Sequence, residues 1–330
     1  MRVIVNASGA KHGGARTIVE SYCSWIEKND TEKEYIFIVG FDLITSSKNI
    51  TVINLRTGGF SSLLFATFGV AAFSVFYQTN IIVSFMNLNT IFPFFNKITY
   101  FHQAKFFSER SLKFKIYSTL LRMQKNSTFV CQNASIKEKL EDFLGCSDRT
   151  QVLDLWPGIY RPSKTIKPSW YDKIVCDSKL IALCPYNDIR MPHKNFQTLF
   201  KSYDFLKDNN IQVIVTSKNY DYESNDVFSF VDSCSYSELH FLYEQADIVL
   251  FPSLSETVGL PIFEAQYYGV PVIVSDIDYI KVLNEKFPDL NIIKIKQKDF
   301  YFDVSKIEKN NVSIEDSCFI GEWHQLNDLL

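Results

Sequence analysis

The sequence predicts an α/β protein built of two parallel, doubly wound halves. Three observations predict it. Short apolar runs alternate with longer amphipathic stretches along most of the chain, the pattern of strand–helix–strand units. The alternation breaks once, over the polar, proline-bearing stretch Arg161–Lys173, which reads as a linker. The 330 residues, 46% of them hydrophobic, suffice for two cores of ordinary size.

Taken in order, Arg2–Ala7 is a strand, Gly13 and Gly14 a turn, and Ala15–Glu27 a helix with Ile18, Tyr22 and Trp25 among its apolar positions. Tyr35–Phe41 and Thr51–Leu55 are strands. Gly58 and Gly59 precede a helix over Ser61–Phe76. Ile81–Phe85 and Ile98–Phe101 are strands, the second ending at His102. Ser108–Lys125 is a helix with a basic stripe. Ser127–Cys131 is a strand, Ala134–Leu144 a helix, and Val152–Leu155 a strand that stops at Trp156-Pro157-Gly158.

The second series starts after the linker. Strands are expected at Leu180–Cys184, Gln212–Thr216, Val227–Val231, Ile248–Phe251 and Val270–Val274. Helices are expected at Asn195–Lys207, Ser237–Glu244, Leu260–Tyr268 and Tyr279–Glu285. From Lys294 the periodicity is weak. The resulting division is an N-terminal domain over 1–160, a linker over 161–173 and a C-terminal domain over 174–330 with an unplaced tail. Two such βα series suggest two Rossmann-like domains facing across a cleft.

Composition excludes several classes. Lys plus Arg is 34 against 37 for Asp plus Glu, a net charge of −3, so general nucleic-acid binding is not indicated. Seven cysteines without a CxxC pair argue against a disulfide framework, a zinc ribbon or an iron–sulfur site, and suggest reduced thiols in the cytoplasm. No apolar leader follows the start. The run Phe60–Tyr77 holds serines, a threonine and a glycine, so it reads as a buried or membrane-facing helix rather than a span. Aromatics number 50, counting 29 Phe, 17 Tyr and 4 Trp, and most should be buried in the two cores. The group Phe101–Tyr117 is the expected exception. There Lys105, Arg110, Lys113, Lys115, Arg122 and Lys125 interleave with or follow aromatics, which suits either a lipid headgroup interface or a solvated amphipathic helix.

The sharpest segment is Phe251–Asp276. Strand Ile248–Phe251 runs into a loop, and a helix starts near Leu260. Ser255, Glu256, Thr257, Val258 and Gly259 therefore lie at a strand's C-terminal edge, ahead of a helix N-terminus whose N–H groups suit an anion. Gly259 allows close backbone approach. Glu264 follows on the helix, where a carboxylate can accept two sugar or ribose hydroxyls. Taken singly, these acids read equally well as a capping residue and an ordinary helix residue. His102 also ends a strand, at the sheet edge where open α/β sheets bind ligands.

Taken whole, the segment resembles the C-terminal signature of the retaining GT-B glycosyltransferases of family 4 (glycosyl transferases group 1), of the bacterial cell-surface polysaccharide type. The pattern Ser-x-x-Glu-x-x-Gly-Leu-Pro-x-x-Glu-Ala-x-x-x-Gly-x-Pro-Val-Ile is met by Ser253, Glu256, Gly259, Leu260, Pro261, Glu264, Ala265, Gly269, Pro271, Val272 and Ile273. The resemblance implies that Glu256 lies at the donor sugar and Glu264 at the nucleotide ribose, while backbone at Thr257, Val258, Gly259 and Leu260 holds diphosphate and hexose. Within Met191-Pro-His-Lys-Asn195, Lys194 becomes the donor-phosphate lysine, and Arg190, at an unusual spacing, its partner arginine. Gly13 and Gly14 would face the donor, His12 and Arg16 an anionic acceptor, and His102 the donor sugar. His102-Gln103 departs from the usual His-Asp or His-Asn, and Trp156-Pro157-Gly158-Ile159 lacks the family's asparagine.

The implied activity is transfer of a sugar from a nucleotide diphosphate sugar to a hydroxyl of a saccharide or polyprenyl-diphosphate-linked acceptor, with retention, as in O-antigen or capsule synthesis. No metal or other cofactor is expected. A cytoplasmic enzyme in peripheral contact with the inner membrane leaflet fits the placement of the aromatics. The other readings are an epimerase or sugar-phosphate synthase of the same fold, or a silent scaffold. A nicotinamide dehydrogenase would need Gly-x-Gly-x-x-Gly, which Gly9-Ala-Lys-His-Gly-Gly14 misses.

Overall fold

The computed structural model consists of two compact units, Met1–Tyr160 with Ile320–Leu330, and Arg161–Phe319. It describes residues 1–11, 13–107, 112–124, 126–145, 150–175, 179–308 and 318–330.

The first unit runs β1 (Arg2–Ala7), α1 (Gly13–Asn29), β2 (Glu34–Val39), β3 (Ile50–Asn54), α2 (Phe60–Leu64), a π turn (Phe65–Gly69), α3 (Val70–Phe76), β4 (Ile81–Ser84), β5 (Asn96–Tyr100), α4 (Leu112–Arg122), β6 (Ser127–Cys131), α5 (Ala134–Leu144) and β7 (Thr150–Asp154). The strands form one sheet in the order β3-β2-β1-β4-β5-β6-β7. Every pairing is parallel. Val3, Ile4 and Val5 are wholly buried, as expected of a central strand covered on both faces. Gly13 opens α1 at φ 65°, a left-handed conformation that costs glycine nothing.

The second unit runs α6 (Tyr171–Ile174), β8 (Leu180–Cys184), α7 (Phe196–Lys201), α8 (Tyr203–Asp208), β9 (Ile211–Val215), β10 (Phe228–Phe230), α9 (Tyr236–Gln245), β11 (Ile248–Phe251), α10 (Leu260–Tyr267), β12 (Val272–Ser275), α11 (Asp278–Lys286) and β13 (Ile292–Ile295). Its parallel sheet has the order β10-β9-β8-β11-β12-β13. The stretch read as a linker belongs to this unit. Within it the Ile166 N–H donates to the Ser237 carbonyl at 3.1 Å, and Tyr171–Ile174 is helical.

Three elements differ from expectation. The single helix over 195–207 is two, because the Ser202 hydroxyl donates to the Leu199 carbonyl at 2.6 Å and the backbone leaves the helix there, at ψ 20°. Strand β13 lies where the tail was unplaced. The aromatics between Phe101 and Tyr117 turn inward: Phe101 and Phe106 are buried in one cluster with Phe129, and Phe107, Phe114 and Tyr117 pack against it. The exposed large aromatics of this unit are instead Phe60, Phe68, Phe76 and Phe94.

The tail also departs from the division at 174–330, since Ile320–Leu330 packs with the first unit. Helix α12 (Trp323–Asp328) buries Trp323 and Leu326. The Trp323 ring sits 5.3 Å from Tyr22 and 5.8 Å from Tyr100, and its Nε1–H donates to Ser21 Oγ at 3.1 Å. The Trp156 turn receives it: Trp156 N–H donates to Glu322 Oε2 at 2.6 Å, and Glu322 N–H donates back to the Trp156 carbonyl at 2.8 Å. Asn327 Nδ2 donates to Asp30 Oδ2 at 3.0 Å, and the Tyr35 hydroxyl lies 2.8 Å from Asp30 Oδ2 and 2.7 Å from Asn327 Oδ1. These bonds, with Lys33, hold the Asp30 carboxyl far below the ordinary range despite the opposing effect of burial.

Candidate active site

Strand order reverses between β1 and β4 in the first sheet and between β8 and β11 in the second. Loops leaving such neighbouring strands diverge and open a crevice at the strands' carboxyl ends. In the second unit that crevice is bounded by the segment after β8, which carries Lys194, and the segment after β11, which carries Glu256.

The two segments are tied together. The His193 carbonyl accepts from the Leu254 N–H at 2.6 Å and lies 3.1 Å from Ser253 Oγ. Ser253 Oγ also lies 2.7 Å from Glu256 Oε1. Onto the same carboxylate oxygen comes Lys194 Nζ, at 2.6 Å. The ammonium is further held 5.1 Å from the Tyr186 ring centroid and 5.4 Å from that of Phe251. Asn195 supplies the left-handed residue, φ 54°, that turns the chain from the lysine into α7.

Helix α10 starts at this edge. Gly259 caps it at φ 70°, where a Cβ would also stand 3.1 Å from Ile262 Cδ1. Pro261 occupies its first turn, where no N–H is needed. Ser255 is exposed, Thr257 half-buried, and Val258 and Leu260 buried. The Ile262 N–H donates to the Gly259 carbonyl at 2.8 Å, and the start of α10 brings the positive end of a helix beside a lysine.

Glu264 lies deeper. It is buried, and its two oxygens accept from the Tyr236 and Tyr243 hydroxyls, each at 2.8 Å. Burial raises its pKa, against the lowering effect of the two phenols. The sequence reading missed this pair of tyrosines, although their seven-residue spacing on α9 puts both on one helix face. His240, on the same helix, is wholly buried with Nδ1 3.0 Å from the Tyr268 hydroxyl. Burial, with the Arg161 charge second, holds His240 down at about 4. Its neutral form is therefore favoured in the fold, so its stabilising contribution is complete above its ordinary 6.5 and is lost as pH falls toward 4. Chemical denaturation of His240→Gln should show a smaller loss of stability over that interval than the parent, by on the order of 3 kcal/mol.

The remaining predicted site residues divide between the units. Arg190 is not on Lys194: its guanidinium pairs with Asp188 at 2.9 Å and stacks 4.0 Å from the Tyr220 ring centroid. In the first unit Gly13 and Gly14 start α1. Arg16 pairs with Glu20 at 2.9 Å and lies 4.8 Å over Phe41. His102 follows β5, its N–H donating to Asn87 Oδ1 at 2.6 Å. Burial lowers its pKa to about 4, so its imidazole is neutral at neutral pH. His12, Arg110 and Lys125 lie outside the described residues, as do the side chains of Lys105 and Lys113.

Residues 190–311 match the model of the family described as glycosyl transferases group 1. The second unit carries a glycosyl transferases group 1 domain. The matched stretch of this glycosyltransferase domain encloses Lys194, Glu256, Gly259 and Glu264. A curated relative, the O-antigen chain mannosyltransferase RfbU of Salmonella typhimurium, is 33% identical over 96 residues, which span 26% of this chain and 27% of that protein. Among solved structures, WaaG, a glycosyltransferase involved in lipopolysaccharide biosynthesis, matches with TM-score 0.63 at 13% identity over 98% of this chain and 93% of its own. Anabaena Alr3699/HepE in complex with UDP and glucose matches with TM-score 0.64 at 13% identity over 97% and 91%. The glycosyltransferase domain and the unit before it thus make up a GT-B fold of two Rossmann-like units.

Proposed function

We propose that the protein is a retaining glycosyltransferase that moves a sugar from a nucleotide diphosphate sugar to a hydroxyl of a saccharide or lipid-linked saccharide during O-antigen or capsule assembly. The observation that carries this reading is the Lys194–Glu256 pair, at 2.6 Å, beside the start of α10 in a glycosyltransferase domain.

The difficult event is departure of the diphosphate from the anomeric carbon. Charge grows on the leaving oxygens, and a fixed ammonium with helix N–H groups is placed to stabilise it. Lys194 turns from Glu256 toward the diphosphate, and the freed Glu256, still held by Ser253, accepts hydroxyls of the sugar. Thr257, Val258, Gly259 and Leu260 offer backbone to the phosphates, and Ser255 and Arg190 border them. Glu264 takes ribose hydroxyls with the lone pairs that its two tyrosines leave. Lys194 supplies the countercharge, so the reaction needs no metal. In the first unit, neutral His102 exchanges hydrogen bonds with the sugar. Gly13 and Gly14 let the backbone come close to the donor, and His12 and Arg16 receive the acceptor. The acceptor hydroxyl bonds to the face the diphosphate leaves, and its proton passes to the departing phosphate oxygen, which preserves the configuration. The protein works in the cytoplasm, at the inner membrane leaflet.

Incubating the purified chain with a panel of nucleotide diphosphate sugars, without acceptor, should release nucleotide diphosphate slowly from one donor. No binding or hydrolysis of any member would remove the reading.

A further inference from the structure

Glu264 is only 4% exposed, so a ligand reaches its oxygens only if something covering them moves. Two phenols lie on them, and the two are not equivalent. Tyr243 is wholly buried, and its hydroxyl donates to Oε2 at 2.8 Å. Tyr236 is the first residue of α9 and is half-buried, and its hydroxyl donates to Oε1 at 2.8 Å. Of the pair, Tyr236 is the one that borders solvent and can turn aside without opening the core.

The backbone beneath Tyr236 is fixed. Ser235 Oγ accepts the Glu238 N–H at 3.3 Å, and Glu238 Oε2 accepts the Ser235 N–H at 2.8 Å, a reciprocal cap on the start of α9. Departure of the phenol is then a rotation about side-chain bonds, not a movement of the helix. The His240 ring backs it edge-on, with centroids 4.5 Å apart.

Each carboxylate oxygen offers two lone pairs. With Tyr243 alone in place, Oε2 keeps one free and Oε1 two, which suits a pair of neighbouring hydroxyls. A phosphate would be repelled there, and a single hydroxyl would serve one oxygen only. Exchange of a phenol for a sugar hydroxyl replaces one O–H donor to a carboxylate by another, so little hydrogen bonding is lost.

We propose that Tyr236 stands in for a ribose hydroxyl: it occupies Glu264 Oε1 in the free protein and gives that oxygen up when the vicinal diol of a nucleotide binds, while Tyr243 stays on Oε2 and positions the carboxylate. The inference rests on the nucleotide-sugar reading of the site.

Calorimetric titration of the full chain with UDP, GDP and ADP, and with their 2′-deoxy counterparts, tests it. Above neutral pH the parent should bind one ribonucleotide about tenfold better than its deoxy form. Tyr236→Phe removes the competitor and should tighten that ribonucleotide about fivefold, whereas Tyr243→Phe should weaken it about tenfold. Glu264→Gln should lose the preference for ribose.

A second readout separates positioning from packing. Burial raises the pKa of Glu264 and the phenols lower it, so Tyr243→Phe shifts it further up. The carboxylate form accepts the diol, so affinity should be present above that pKa and be lost, as pH falls, at a higher pH than in the parent. The titratable and charged groups around it are Tyr236, His240 and Tyr243 of α9, Tyr268 after α10, Cys184 of β8 and Arg161. Burial holds His240 down at about 4, with Arg161 adding to the effect; it pushes Tyr268 up to about 12 and raises Tyr243 and Cys184 as well. A displacement in the acid range therefore reports Glu264, while loss of packing alone would weaken binding at every pH alike.

Weaker or unchanged binding by Tyr236→Phe overturns the stand-in role and leaves the nucleotide site standing. Parent-like affinity of Tyr243→Phe at every pH, or its weakening without the pH displacement, overturns the positioning role in the same way. Equal binding of ribose and deoxyribose forms by the parent overturns the proposal as a whole. Failure of every diphosphate to bind the parent overturns it together with the reading it rests on.

Discussion

Lys194→Met should cut the release of nucleotide diphosphate from the preferred donor by about 10²–10³-fold, the usual penalty for losing one stabiliser of developing negative charge. The side chain is nearly isosteric, so the Tyr186 and Phe251 rings keep a neighbour and the Ser253–His193 contact is untouched. What disappears is a cation. Lys194→Met also leaves the Glu256 carboxylate without its counterion, so a fall in activity could reflect a disturbed loop. The melting temperature separates the two: Lys194→Met that melts like the parent and is still inactive has lost the cation and not the loop. Donor hydrolysis within threefold of the parent would dismiss the assignment of this lysine.

The second large effect concerns stability. Trp323→Ala is expected to destabilise the first unit by about 3–5 kcal/mol, measured as a lowered midpoint in urea. The indole is almost fully buried among Tyr22, Phe85 and Tyr100, with ring centroids at 5.3, 6.4 and 5.8 Å, so truncation opens a cavity between the rings. The loss also strips Ser21 Oγ of its donor. Trp323→Phe should recover part of the packing but not the hydrogen bond, and should fall between the two. A change below about 1 kcal/mol for the alanine variant would mean that the tail is only loosely seated.

Lys194 and Glu256 were each legible as candidates because both sit in local patterns of a strand, a turn and a helix start, whereas their pairing, across 62 residues, was not. Other features depended on what lies far away in the chain. Glu264 was recognised, but its tyrosines come from a different helix, and only the packing of α9 against α10 brings their hydroxyls to it. Strand β13 escaped because it is an edge strand of four residues, half-exposed, with Lys294 in its short apolar run. Helix α12 has only Trp323 and Leu326 to mark its inner face, too little for a period. The aromatics of 101–117 looked interfacial because cations interrupt them in sequence. On α4 Lys115 is exposed, while Phe114 and Tyr117 pack against the core.

The return of the last residues to the first unit sets an order on biogenesis. The chain passes from the first unit to the second after Tyr160 and back again after Phe319. During synthesis the N-terminal sheet must therefore wait, with the hollow between Tyr22, Phe85 and Tyr100 unfilled, until Trp323 has left the ribosome. A nascent or truncated product that stops before Trp323 would carry an intact glycosyltransferase domain beside an incomplete partner, open to proteases. The first unit is thus finished only after the whole of the second has been made.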